Sequence, residues 1–203
     1  MGTDRAELLV NDWRQDLPTL ATRLVTLREP APADLAPLID LLATMDATRF
    51  GIDESRLEEG VCALIKRCAV DRANGASFTY AITMTTLRTI VGLARVRRLD
   101  PSFEAAECEM TLAPSVRGTG VFVDAARLIG SFAFDSVGAL RLESRVVVQN
   151  GRANGALRKL GAVQEGVLRR SVRRGDEYLD QVLWSVLKED WGHHWLSTAP
   201  RVH

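Results

Sequence analysis

Arg117-Gly118-Thr119-Gly120-Val121-Phe122 opens an apolar run that continues to Val137, and the reading of this stretch decides the fold. Gly118 and Gly120 carry no Cβ, so the main chain there can approach a ligand closely. The following segment reads as a helix, whose first-turn N–H groups and positive dipole end suit a phosphate or pyrophosphate. Arg117 adds a fixed cation. A tight turn is the simpler account of two glycines, so the residues on either side carry the argument.

Upstream, Ala106 to Ala113 alternates cleanly as a strand. Cys108, Met110 and Leu112 point one way; Glu107, Glu109 and Thr111 point the other. Downstream, the helix is apolar apart from a stripe of Asp124, Arg127, Ser131 and Asp135, which predicts that most of it is buried. Leu140 to Val148 is β-branched-rich and reads as the next strand. A short helix is predicted from Asn154 to Leu160, ended by Gly161 at C′. Ala162–Val172 and Glu177–Leu187 form a closing hairpin about Arg174-Gly175-Asp176.

Before the loop, Leu24–Arg28 is a short strand stopped by Pro30 and Pro32. Asp34 is positioned to N-cap a helix running to about Met45, with Leu35, Leu38, Ile39 and Leu42 on one face. A second helix covers Leu57–Ala73. Strands Phe78–Met84 and Thr89–Val96 follow, joined by a turn near Thr86-Leu87-Arg88. The order is β-α-α-β-β-β-α-β-α-β-β, a mixed α/β sheet in one domain. Residues 1–22 read as an N-terminal arm with Trp13 and Leu17-Pro18 as anchors, 23–191 as the domain, and 192–203 as a tail.

Composition narrows the function classes. The 203 residues carry 26 Lys+Arg and 26 Asp+Glu, so no global field selects nucleic acid or anionic membrane. Cys62, Cys68 and Cys108 lack metal-site spacing, and His193, His194 and His203 crowd the last eleven residues, so no metal centre is expected. No stretch approaches the ~20 apolar residues of a transmembrane helix. The expectation is a cytoplasmic protein with reduced thiols and no membrane contact.

The element order and specific residues resemble the GCN5-related N-acetyltransferase (GNAT) superfamily, and within it the ribosomal-protein acetyltransferases of RimJ/RimL type. The likeness is carried by Leu112-Ala113-Pro114, Arg117-Gly118-Thr119-Gly120, Ala125, Arg127-Leu128, Ala133-Phe134, Leu142-Glu143, Asn150, Leu160-Gly161-Ala162 and Glu165 to Arg169. The ending Val182-Leu183-Trp184-Ser185 with Asp190-Trp191 also fits. The resemblance implies acetyl-CoA as co-substrate. Its pyrophosphate would sit on Gly118, Thr119, Gly120, Val121 and Phe122, beside Arg117. Its pantetheine would run along Met110, Leu112 and Ala113, where the fourth and fifth strands splay apart. A main-chain N–H near Leu112 would serve as an oxyanion donor, worth ~3 kcal/mol where one has been removed from other enzymes. Asn150 and Asn154 would lie near the cofactor.

Three departures from the family pattern are visible. Phe122 occupies a position usually Gly or Ala; it either tucks into the core or narrows the donor pocket. Leu157 stands where many members carry a tyrosine acid. Ala153 and Val172 replace a serine and a glutamate of RimL-type enzymes. The remaining candidates for general base are Glu107 and Glu109, with structural pairing to Arg95 or Arg97 as the competing account. Tyr178 either lines the acceptor side or packs the closing strand. Arg169, Arg170, Arg173 and Arg174, with Arg95, Arg97 and Arg98, are either a solvated surface or contacts for tRNA or a carrier protein.

Three functions compete: an N-acyltransferase, by default acetyl, acting on the primary amine of a small molecule or peptide; a transferase using a non-CoA donor such as aminoacyl-tRNA; and a non-catalytic GNAT-like binding domain. The acceptor is not legible, and homodimerisation, common in the family, is not readable either.

Overall fold

The computed structural model describes residues 12–44, 52–86 and 89–191. Residues 1–11 of the N-terminal arm, the helix end at Met45, Leu87 and Arg88 of the first hairpin turn, the three histidines and the tail lie outside the described residues.

Eight strands form one sheet: β1 (Leu20–Ala21), β2 (Val25–Arg28), β3 (Ser77–Met84), β4 (Ile90–Arg98), β5 (Ala105–Leu112), β6 (Arg141–Val147), β7 (Val163–Arg174) and β8 (Glu177–Leu187). Their spatial order is β1-β2-β3-β4-β5-β6-β8-β7. All neighbours are antiparallel except β5 and β6. Helices α1 (Leu35–Ala43) and α2 (Leu57–Ala73) follow β2; α3 (Val121–Ser131) joins β5 to β6; α4 (Gly151–Lys159) precedes β7; α5 (Lys188–Trp191) ends the described chain.

The alternation along each strand divides the core in two. Phe78, Tyr80 and Ile82 face α3 together with Val25, Leu27, Val96 and Ala106. Ala81, Ile90 and Leu93 face α1 and α2, where Leu38, Leu42, Val61, Leu64 and Cys68 are buried. Trp13, expected as an anchor, meets Phe78 and Phe103 edge-on at 5.8 and 5.5 Å. The Tyr80 hydroxyl donates to the Pro18 carbonyl at 3.1 Å. Residues just upstream of β2 are therefore part of the core, and Leu20–Ala21, within the span that reads as an arm, adds an edge strand.

Two local expectations are corrected. Asp34 does hold the N-cap position of α1, but its side chain caps nothing there. Instead it accepts two hydrogen bonds from Arg28, at 2.7 and 2.6 Å, and one from the Ala31 N–H at 2.7 Å. The tight turn at Pro32–Asp34 swings the carboxylate back toward β2. The fourth helix begins at Gly151, not Asn154, because the Asn150 side chain caps it by accepting from the Ala153 N–H at 3.1 Å. The helix after the glycine loop widens into a π-helical turn over Phe132–Val137 and stops at Gly138.

Candidate active site

The glycine loop leaves β5 through a single turn at Pro114–Val116. Gly118 and Gly120 then take φ values of +81° and +92°, a region that L side chains enter only at a cost. A Cβ at Gly118 would meet nothing, and one at Gly120 only Leu24 at 3.6 Å. Conformation, not space, requires glycine there. Gly120 holds the N-cap position of α3 without a side-chain cap. Among the described residues, the N–H groups of Gly118, Gly120, Val121, Phe122 and Val123 have no protein acceptor. They span an exposed loop, Arg117–Gly120, and the first turn of α3, at the positive end of the helix. The Thr119 hydroxyl is turned inward, donating to the Val116 carbonyl at 2.7 Å. From the other side Thr22 donates to Asp124 at 2.8 Å and tethers the first turn. Arg117 is exposed beside the loop. Phe122 is half-buried and belongs to none of the core clusters, so it does not tuck into the core.

The strand before the loop supplies the second element. β5 and β6 pair only from Ala105↔Arg141 to Glu107↔Glu143, and then diverge. At the point of divergence the Ser144 hydroxyl donates to the Cys108 carbonyl at 2.8 Å, a side-chain bond replacing the lost ladder bond. Ala113 N–H donates to Val91 O across the β4 side at 2.8 Å. Because strand groups alternate, the N–H and C=O groups of Cys108, Met110 and Leu112 project into the gap. Met110 and Leu112 thus present a free strand edge that leads to the glycine loop. Gly92 on β4 permits this end of β5 to close in: a Cβ there would lie 2.4 Å from Leu112 Cδ2 and 2.6 Å from Thr111 O.

Glu107 and Glu109 lie on the opposite face, in different settings. Glu107 is buried, hydrogen-bonded by Arg97 and flanked by Arg145 at 3.6 Å. Glu109 pairs with Arg95 at 2.7 Å through Oε2, is partly exposed, and its Oε1 has no partner among the described residues. Both pairs join residues directly opposed across β4 and β5. The pattern extends outward, with Arg145 and Arg141 flanking Glu143 and Arg141 gripping Glu165 at 2.7 Å. Arg141 and Ser185, both donating to Glu165, hold its carboxyl down at about 2. Arg97, Glu107, Arg145, Glu143, Arg141 and Glu165 thus form one linked charge grid across the strands, with Arg95–Glu109 a separate pair beside it.

Asn150 and Asn154 are not equivalent. Asn150 is an exposed helix cap at the end of β6. Asn154 is buried: its amide nitrogen donates to the carbonyls of Val147, Val148 and Asn150, and its oxygen accepts from the Trp184 indole at 2.8 Å. It fastens α4 to β6 and β8. Leu157, in place of the family's tyrosine, lines a small apolar cavity under the splay with Cys108, Ser144 and Trp184. Periodicity could not reveal this cavity, because its walls come from β5, α3, β6, α4 and β8. Burial, with Glu109 and Glu107 nearby, pushes the Cys108 thiol up to about 12. It remains a neutral thiol near pH 7.

The arginine clusters fall at opposite ends of the sheet. Arg97 lies in the same cross-sheet row as Glu107, Glu143 and Ser185, whereas the hairpin tip lies eight positions along β8 at Glu177. At ~3.3 Å per residue that is about 26 Å. Arg170 takes a positive φ of 49° in a bulge, its N–H held by Asp180 at 2.7 Å. Arg173 meets Asp176 at 3.6 Å. Tyr178 is 58% exposed, so it does not pack the closing strand. Among the described residues no cluster of His, Cys, Asp and Glu could hold a metal, and no helix is long and apolar enough to cross a membrane.

A parallel pair that splays apart, with a free strand edge running to a glycine-opened helix, is the arrangement of the acetyltransferase class that the sequence resembles. Residues 24–163 match the model of the acetyltransferase (GNAT) domain, and the chain belongs to that family. No curated protein matches the chain at a significant level. Solved structures do. A T. thermophilus protein assigned as an acetyltransferase shares 26% identity, with a TM-score of 0.67 over 88% of this chain and 94% of its own. The ribosomal-protein-S5-alanine acetyltransferase of Vibrio fischeri has a TM-score of 0.75 at 15% identity, covering 86% of this chain and 98% of its own. The microcin C7 self-immunity acetyltransferase MccE, solved with acetyl-CoA and AMP, has a TM-score of 0.71 at 18% identity, over 82% and 93%. The last two likenesses are of fold.

Proposed function

We propose that the protein transfers an acetyl group from acetyl-CoA to the primary amine of a small molecule or peptide, without a covalent acyl-enzyme. The observation that carries this reading is the joined pair of features on one side of the splay: the unpartnered N–H groups of Gly118 and of Gly120 to Val123, and the free edge of Met110 and Leu112 leading to them. The first suits a pyrophosphate and the second an amide-containing chain, so the residues present fit the co-substrate. The donor supplies an activated thioester carbonyl. The Leu112 N–H, already aimed into the gap, is placed to donate to that oxygen as negative charge builds there.

Glu109 is the better-placed base. Its unpartnered Oε1 can take the ammonium proton directly or through water, whereas Glu107 is enclosed by Arg97 and Arg145. The amine nitrogen then forms the amide bond, the C–S bond breaks with its electron pair on sulfur, and the nitrogen's second proton is lost to solvent. With Leu157 in the acid position, the thiolate leaves largely on its own acidity, ordinary for a thiol of pKa ~8.5. The neutral Cys108 thiol argues against a ping-pong route. The motifs from Leu160-Gly161-Ala162 to Asp190-Trp191 support the RimJ/RimL-like branch, and the three free cysteines support a cytoplasmic setting.

Calorimetry with acetyl-CoA and CoA tests the reading, and absence of binding at millimolar ligand refutes it. Glu109→Gln is expected to lower kcat/KM by ~10²–10⁴. Glu107→Gln is expected to act mainly on stability, since it removes the buried charge that Arg97 and Arg145 share. A folded Glu107→Gln protein that loses turnover while Glu109→Gln keeps it reverses the assignment.

A further inference from the structure

The face of the sheet that carries Glu107 and Glu109 holds a hollow of about 260 Å³, where the end of α2 meets β3 and β4. Its walls include Asp71, Ser77, Arg95, Arg97 and Arg98. More hydrogen-bond donors line it than the protein satisfies. Ser77 is only 5% exposed, and its hydroxyl has no partner among the described residues. Arg98 makes no ion pair there, and Arg95 and Arg97 each meet one glutamate through Nη2. Two enclosed side-chain polar atoms among the described residues lack a hydrogen bond, Nε of Arg145 and Nε of Arg95. The first has Glu107 at 3.6 Å; the second has only the hollow's wall around it. Buried donors are nearly always paired, so orphans gathered about one hollow point to a ligand that brings oxygens. Counting Asp71, Glu107 and Glu109 against the three guanidiniums leaves no net charge, which suits a singly charged group better than a dianion. We propose that the amine substrate carries a carboxylate, and that this hollow receives it while the amine lies at Glu109. The proposal rests on the acetyl-transfer reading above.

Strand register sets the spacing of the two groups. Ser77, Arg97 and Glu107 stand in one cross-strand row, and Thr79, Arg95 and Glu109 in the next row on the same face. From Glu109, Arg97 is one strand across and two residues along, and Ser77 is one strand further. At ~4.8 Å per strand and ~3.3 Å per residue those offsets are about 8 and 12 Å. An extended peptide covers that distance in about three residues, so an N-terminal amine followed by an acidic third residue fits. In an α-amino acid the amine and carboxylate share one carbon, too close to reach both places. Arg95 stands between them, with Nη2 on Glu109 and its orphaned Nε beside the hollow. A small turn of this side chain would offer the Nε–H to a carboxylate oxygen, a charge-assisted bond roughly twice as strong as a neutral one.

Calorimetry with and without saturating CoA supplies the test, on two pairs of amines that differ in one carboxylate. The tripeptide amides Ala-Ala-Glu and Ala-Ala-Gln form the first pair; lysine and 1,5-diaminopentane form the second. The glutamyl peptide is expected to bind at least tenfold more tightly than the glutaminyl one. Ser77→Ala and Arg98→Ala alter neither Glu109 nor the glycine loop. Each should cut that ratio at least threefold while leaving the Kd for CoA and the melting temperature unchanged. Lysine preferred over 1,5-diaminopentane, with the peptides bound equally, keeps the carboxylate site and assigns it to a free amino acid. Equal binding within both pairs, no binding of any of the four, or ratios unmoved by both substitutions overturns the proposal and leaves CoA binding as it was. A protein that prefers the acidic member but binds no CoA overturns the donor reading and leaves the hollow's assignment standing.

Discussion

Replacing Gly120 by alanine separates the loop's conformation from its contacts. The new Cβ would find Leu24 Cδ2 at 3.6 Å, an ordinary contact, so steric crowding is not the issue. The obstacle is the backbone, whose φ there is +92°. Holding an L residue in the left-handed region costs roughly 1–2 kcal/mol. For a domain of this size each kcal/mol moves Tm by about 2–4 °C, so the melt should fall by about 2–8 °C. The backbone can relieve that strain only by rotating, which re-aims the N–H groups of Val121 and Phe122. Losing one hydrogen bond to a charged ligand is worth ~1.5–3 kcal/mol, or about 10- to 150-fold in the Kd for CoA. Gly155→Ala supplies the control. It lies inside α4 with nothing within 4 Å of where a Cβ would sit and no positive φ, so alanine should stabilise by about 0.5–1 kcal/mol. Circular-dichroism melts and calorimetry on both variants decide it. If Gly120→Ala melts like the wild type and binds CoA equally well, neither the strained N-cap nor its role as an anion cradle stands.

Trp184→Phe removes the indole N–H that satisfies the buried Asn154 oxygen at 2.8 Å, and should cost about 1–3 kcal/mol in denaturant unfolding. Glu165→Gln tests the charge grid through pH. The Glu165 carboxyl is held down at about 2, below its unfolded value, so its contribution is complete above the usual carboxylate range and is lost as pH falls toward 2. Its partial exposure limits the effect to ~0.2–1 kcal/mol. The gap in urea midpoint between wild type and Glu165→Gln should therefore be widest near pH 7 and narrow steadily below pH ~4; a constant gap refutes the ion-pair account.

The amino-acid sequence alone determined what depends on near neighbours along the chain. The alternation from Glu107 to Leu112 assigned each side chain its face, because a strand's period of two leaves no other choice. Gly118 and Gly120 marked the loop because only glycine enters positive φ without strain, and Gly161 marked the end of α4 likewise. Where a short-range signal met a long-range partner, the partner prevailed. Asp34 turned from its helix to Arg28 on the preceding strand, and the Asn154 amide engages Val147, Val148 and Trp184. Tertiary structure alone decided which glutamate stays available: Arg97 and Arg145 come from strands on either side of β5, and their closure on Glu107 leaves Glu109 the open carboxylate. It also decided the cavity. Cys108, Leu157 and Trp184 are far apart in sequence, and only the divergence of β5 from β6 gathers them around one space.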